Sequence, residues 1–243
     1  STGYYLWCIY FQQRKGNDSI SVSPKGLAKS RTLAGDTVKI GVPGALITVL
    51  LSVSNIVMNS HVAGYGSDAV ACYGIAYKIS LFAVLLSVGL AQGIAPLFGF
   101  CFGAAQKERL RKAVLIGAFF DVLMGVFFTA VFAMSGKTLT AFFLKDTSLI
   151  AQSASFLKVL GLSAPMLGVI NIVTSYFQAL GKALYSMIIT LLRNVILFIP
   201  GVMLMDALWN LPGVIATQPT VECIVMVASI ILYLLHQKRE INS

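Results

Sequence analysis

Residues 69–112 read AVACYGIAYKISLFAVLLSVGLAQGIAPLFGFCFGAAQKERLRK, an apolar run far longer than a soluble helix needs. One lysine, Lys78, interrupts it, and a cluster of Gly89, Gly93, Pro96 and Gly99 follows. The run closes on Gly103–Ala104–Ala105 and then on the basic group Lys107, Arg109, Arg111 and Lys112. A hydrocarbon core about 30 Å thick takes about 20 apolar helical residues, so this stretch spans a membrane with length to spare. The glycines and Pro96 predict that the helix is bent or broken there. Irregular backbone at membrane depth is tolerated only against protein or a wet cavity, and with an enclosed charge it points to a transporter.

Composition supports a membrane protein: 57% hydrophobic residues, 11% charged, and a mean hydropathy of +0.84. The formal charge of +9 does not imply a nucleic-acid partner, because Lys and Arg are gathered in short loops between apolar spans. Membrane lipids are the expected surroundings. The four cysteines, Cys8, Cys72, Cys101 and Cys223, show no CxxC spacing and read as small apolar residues. Walker A, HExxH and GxSxG patterns are absent, so no enzyme is expected. The two histidines, His61 and His236, fall at opposite membrane faces and cannot share a metal.

Hydropathy predicts five full spans, Ile40–His61, Ala69–Phe102, Ala113–Met134, Leu149–Leu180 and Ala183–Leu208, and a sixth from Thr217 to His236. Gly3–Phe11 is too short to cross. Basic residues follow it, where a secretory signal would carry them before, so residues 1–13 read as the end of a spanning helix whose start is missing. Residues 14–39 form a loop in which Ser23–Pro24 opens a short interfacial helix, Ser as cap and Pro at the first helical position. Lys137–Leu144 reads as an interfacial anchor. Residues 40–236 form the bundle and 237–243 a tail. Summed over alternate loops, basic residues number thirteen on one side and two on the other. The positive-inside rule then places residues 14–39 and the C-terminus in the cytoplasm.

Four charges fall within spans: Lys78, Asp121, Lys158 and Arg193. Each is nine to eleven residues from its predicted helix start, hence about 13–16 Å deep. Such groups are expensive and usually pair inside the bundle. Asp121 is read as the one acid near the midplane and Arg193 as its partner, since both predicted helices start on the same side. The pair is either a packing contact or, with Asp121 as proton or cation carrier, a coupling site. Lys78 has no partner evident in the chain. Asn55 and Asn59, with Ser52 and Thr48, form one polar stripe; Asn171, Thr174, Ser175 and Gln178 form another. Each stripe is interhelical glue or a cavity wall. Mid-span prolines, Pro43, Pro96, Pro165 and Pro200, predict kinks.

Several motifs together resemble the multidrug and toxic compound extrusion (MATE) transporters. They are GVPGALITVLLSVSNIVMN at 41–59, CYGIAYKI at Cys72–Ile79, VGLAQGIAPLFGFCFGA with its basic cluster, and Tyr176–Met205 with a QALGK turn ahead of Arg193 and Pro200. The similarity runs over nearly the whole chain and matches the C-terminal half, helices seven to twelve. It implies an all-α integral membrane fold, a six-helix transporter lobe preceded by the end of another helix. Such lobes pair with an N-terminal six-helix lobe and export small organic, often cationic, compounds in exchange for H⁺ or Na⁺, without a further cofactor. Some members carry a coupling glutamate in helix seven; Ile40–His61 holds no acid. The chain is therefore similar to the branch whose coupling carboxylate lies in the other lobe. Lys78 and Arg193 match basic positions of the family pattern, whereas Asp121 rests on depth and chemistry. A bacterial plasma membrane is the expected location. The alternatives are a lipid-linked oligosaccharide flippase of the same superfamily, for which Lys78 and Lys158 are the available cavity cations, or a fragment that transports nothing alone.

Overall fold

The computed structural model describes residues 49–241, with side chains described through Lys238. The expected helix end at 1–13, the loop at 14–39, Pro43, Thr48 and the tail beyond Lys238 lie outside the described residues. Among those described, the chain is helical and holds no strand. Helix α1 covers Val49–Ala63, α2 Ser67–Gly103, α3 Lys107–Ala141, α4 Thr147–Gly161, α5 Ala164–Ala179 and α6 Ala183–Leu191. A π-helical turn, Leu192–Ile196, leads into α7, Phe198–Ile241.

Helix α7 is two arms. Asn210 has φ 53° and ψ −144°, which no helix accommodates, and the chain doubles back there. A Cβ on Gly201 would touch Thr217 and Val221 at 3.2 and 3.4 Å, although in a straight helix residues 201 and 217 would stand about 24 Å apart. The predicted gap between the spans ending at Leu208 and starting at Thr217 is thus replaced by helix on both sides of one sharp turn. Six segments result: α1, α2, α3, the α4–α5 pair, α6 with the first arm of α7, and its second arm. The apolar helices α2 and α3, at 37 and 35 residues, are each longer than 50 Å by an estimate of roughly 1.5 Å per residue, more than enough to cross a membrane.

Two expectations about breaks are corrected. Helix α2 runs unbroken through Gly93 and Pro96; one lost N–H is tolerated in a membrane helix that neighbours support. The break lies instead in the span predicted as Leu149–Leu180, where α4 and α5 meet at 41° and Pro165 takes the first turn of α5, a position that needs no proline N–H. Residues 137–141 of the Lys137–Leu144 segment continue α3. Asp146 caps α4 by accepting from the Ser148 N–H at 2.9 Å, and these hydrogen bonds hold its carboxyl below the usual aspartate range.

Helix α3 is the central post. Its buried positions Leu110, Val114, Gly117, Asp121, Gly125, Phe132, Gly136 and Thr140 form one stripe. Small residues there let backbones touch, as helix pairs in lipid require. A Cβ on Gly125 would lie 2.6 Å from the Pro165 Cα, and Thr129 Oγ1 donates to Gly125 O at 2.9 Å and to Gly161 O at 2.7 Å across the α4–α5 break. The outer faces carry Phe82, Leu85, Phe119, Phe127, Met203 and Leu204, all exposed. Apolar surface on that scale belongs against lipid.

Candidate functional site

The site grows out of the stripe on α3. Asp121 lies 14 residues into a 35-residue helix, close to its middle, and is fully buried. It fits because α5 presents Gly168 opposite: a Cβ there would stand 3.0 Å from the Asp121 Cγ and Oδ1. Neither carboxylate oxygen has a hydrogen-bond partner. The polar side chain beside it is Ser87 of α2, buried and short of hydrogen-bond geometry to the carboxylate. Asn171 of α5 donates from Nδ2 to Ser87 Oγ at 2.9 Å. Three helices thus bring one acid, one hydroxyl and one amide together in an otherwise apolar interface.

The seam between α2 and α5 stays polar from this point toward the end of the bundle that carries Lys107–Lys112. Asn171, Ser175 and Gln178 lie along α5 at i, i+4 and i+7. Ser175 and Gln178, with Gln92, Pro96 and Gly99 of α2, line an open depression of about 490 Å³. Of the predicted second stripe, Thr174 instead bonds back to Ile170 O at 2.7 Å.

Arg193 is not the partner of Asp121. Its Nη2 and Nε reach Glu222 Oε1 at 2.7 and 2.9 Å, and Glu222 is buried with Oε2 unpartnered. Among the described residues, Asp121 is therefore one of two buried acids within helices. The arginine sits on the π-helical turn, whose extra residue closes with Leu197 N bonding Leu192 O at 3.0 Å. Pro200, with no N–H to return to Ile196, follows at once. Ser54 of α1 donates to Asn194 O on this turn at 2.5 Å. The expected first stripe is less engaged: Asn55 and Asn59 bond back to Leu51 O and Asn55 O. The buried hydroxyl that crosses to a neighbour is Ser54, one residue off that stripe.

Lys78 and Lys158 are both exposed. They lie at similar heights on adjacent helices, since Ser153 Oγ donates to Cys72 O at 3.0 Å five to six residues before each. Lys78 is about 10 Å from the middle of the long α2, on the side of its N-terminal end. At that end, Asp206 accepts from Tyr65 and faces His61 at 3.9 Å. At the other, His236 contacts Tyr176 and Lys182. No group of three His, Cys, Asp or Glu side chains able to hold a metal ion occurs among the described residues.

These features define a class: an all-α integral membrane protein built as a transporter lobe. The MatE family profile matches residues 43–203, and the chain belongs to that family. It is 31% identical over 244 residues to the multidrug export protein MepA of Staphylococcus aureus (strain NCTC 8325 / PS 47), covering 98% of this chain and 52% of that one. MepA of Staphylococcus saprophyticus is 29% identical, with the same coverage. The chain thus spans about half the length of the curated relatives it matches. Its fold superposes on a MATE transporter crystallised with MaL6 at a TM-score of 0.86, 17% identity, 98% of this chain and 54% of the other. An outward-facing multidrug resistance MATE transporter of the MOP superfamily gives 0.85 at the same identity and coverage.

Proposed function

We propose that the chain is one six-helix lobe of a secondary efflux transporter that exports organic, mainly cationic, compounds by alternating access against an N-terminal six-helix lobe, in exchange for H⁺ or Na⁺. The name of its MepA relatives, multidrug export protein, supports export of drug-like compounds, and their length supports a second lobe. Asp121 carries the coupling half of the reading. A buried carboxylate with both oxygens unpartnered is costly, so its site favours a bound proton or small cation. Ser87 adds a hydroxyl beside it, held by the Asn171 amide, and the α2–α5 seam gives a polar route toward the basic end. Charge that arrives at Asp121 is felt by the three helices that meet there, α3 and α5 in close backbone approach and α2 through Ser87, which is how ion binding would bias the lobe between two states. The positive-inside tally supports a cytoplasmic basic end and C-terminus in a bacterial plasma membrane.

Infrared difference spectroscopy on the purified chain tests the coupling residue. A carboxyl band that responds to pH or to Na⁺, and that vanishes in Asp121→Asn, is expected; a band unchanged by that substitution removes Asp121 from the role. Export is tested in a drug-sensitive host expressing the chain together with an N-terminal six-helix lobe. Reduced toxicity of lipophilic cations such as ethidium is expected, and no protection across a panel of them overturns the export reading.

A further inference from the structure

The exposed junction of α2 and α3 is a groove of about 350 Å³ lined by Leu90, Ile94 and Leu97 on one wall and by Ile116 and Phe120 on the other, with Ala113 and Gly117 between. It is a groove because those two positions are small: a Cβ on Gly117 would already meet Ile94 Cδ1 at 3.1 Å. Its mouth is formed by Arg109 and Lys112. The same two residues line a second open cavity of about 550 Å³ around the α2–α3 turn, beside Lys107 and Glu108. An apolar channel and a net-positive cup therefore meet at two exposed cations.

We propose that this groove binds one anionic diacyl phospholipid, its phosphate at Arg109 and Lys112 and an acyl chain laid along α3 toward Phe120. The dimensions fit. Lys112 to Phe120 spans about 12 Å of helix, against about 15 Å for half a hydrocarbon core, so the cations sit at headgroup level when the groove lies in the leaflet. Basic pockets between membrane helices select anionic headgroups by charge, and the glutamate in the cup disfavours nothing that the three cations around it do not outweigh. The far end of the groove reaches Gly117 and Phe120, on the same stretch of α3 that carries Asp121, so a lipid there also braces the helix that holds the candidate coupling acid.

Native mass spectrometry of the delipidated chain, titrated with dioleoyl-phosphatidylglycerol and with dioleoyl-phosphatidylcholine, tests this. The first phosphatidylglycerol is expected to bind about thirtyfold more tightly, the combined effect of two surface cations. Arg109→Gln/Lys112→Gln should bring the two lipids within about threefold of each other, whereas Arg111→Gln/Lys238→Gln, two charges at the same end on another face, should leave the preference intact. Ala113→Leu should weaken both lipids by filling the groove; if it loses helical circular dichroism, Ile116→Ala takes its place and should do the same by removing a wall. Equal binding of the two lipids, equal loss in both charge variants, no effect of altering the groove, or displacement by inorganic phosphate would each overturn the proposal.

Discussion

Gly168 and Asp121 occupy one space. A methyl on Gly168 would stand 3.0 Å from the backbone carbon, Cγ and Oδ1 of Asp121, and the acid cannot move away without opening the α3–α5 contact. Overpacking of this kind costs about 1–3 kcal/mol, so Gly168→Ala should lower the thermal midpoint of the purified chain. Asp121→Ala removes the side-chain half of the clash. Combined with Gly168→Ala it should cost less than the sum of the two single changes, because residues in contact couple. Additive costs would mean that the two residues do not share that space. Ser87 escapes a sequence reading because hydroxyls in membrane helices usually bond back to their own turn, as Thr174 does. Only the three-dimensional meeting of α2, α3 and α5 singles Ser87 out.

Helices are where the sequence was most readable, and the breaks between them least. Apolar length locates α2 within two residues at each end, whereas α3 starts six residues before the span predicted for it and ends seven beyond, because its polar ends carry on the helix outside the apolar stretch. Depth along a helix, however, says nothing of the direction a side chain faces, which is why Arg193 reads as a partner for Asp121 and in fact meets Glu222. Glu222 escapes for a related reason: a span predicted from Thr217 leaves it near a helix end, whereas the second arm of α7 begins near Leu211 and puts it within. That ion pair makes a sharp prediction. Arg193→Met leaves Glu222 buried and uncompensated, at a cost of about 3–5 kcal/mol, while Arg193→Met/Glu222→Met should come close to wild type. A double variant as unstable as the single one would show that the pair does more than neutralise itself. The Asn210 turn gives a second. Its backbone lies in a region natural to glycine, where other residues carry about 1–3 kcal/mol of strain. After the added chain entropy of glycine when unfolded, Asn210→Gly should still raise thermal stability, and a lowered midpoint would show that the Asn side chain supports the turn.

At the scale of the whole molecule, the described helices alternate direction, so their connections gather at two ends of opposite character. Gly103–Lys112, the Gly181–Lys182 turn and the end of α7 carry most of the basic loop residues; the α1–α2 turn, Phe142–Asp146 and the Asn210 turn carry Lys145 beside His61, Asp146 and Asp206. Between them lies a belt of exposed apolar side chains, Phe82, Phe119, Phe127 and Leu204 among them, which only lipid or a second lobe would cover. The sequence tally of basic residues in alternate loops, thirteen against two, predicts orientation because positive loops resist translocation. It can be read directly. With Cys8, Cys72, Cys101 and Cys223 replaced, Lys145→Cys should react with a membrane-impermeant maleimide in intact cells. Lys238→Cys should react only after the membrane is opened. The two positions are exposed and belong to opposite ends, so the reverse pattern would invert the lobe and carry the Asp121 seam to the outer face. Labelling of both in intact cells would mean that the chain enters the membrane in two orientations, and a coupling route with a fixed direction could not then be assigned to it.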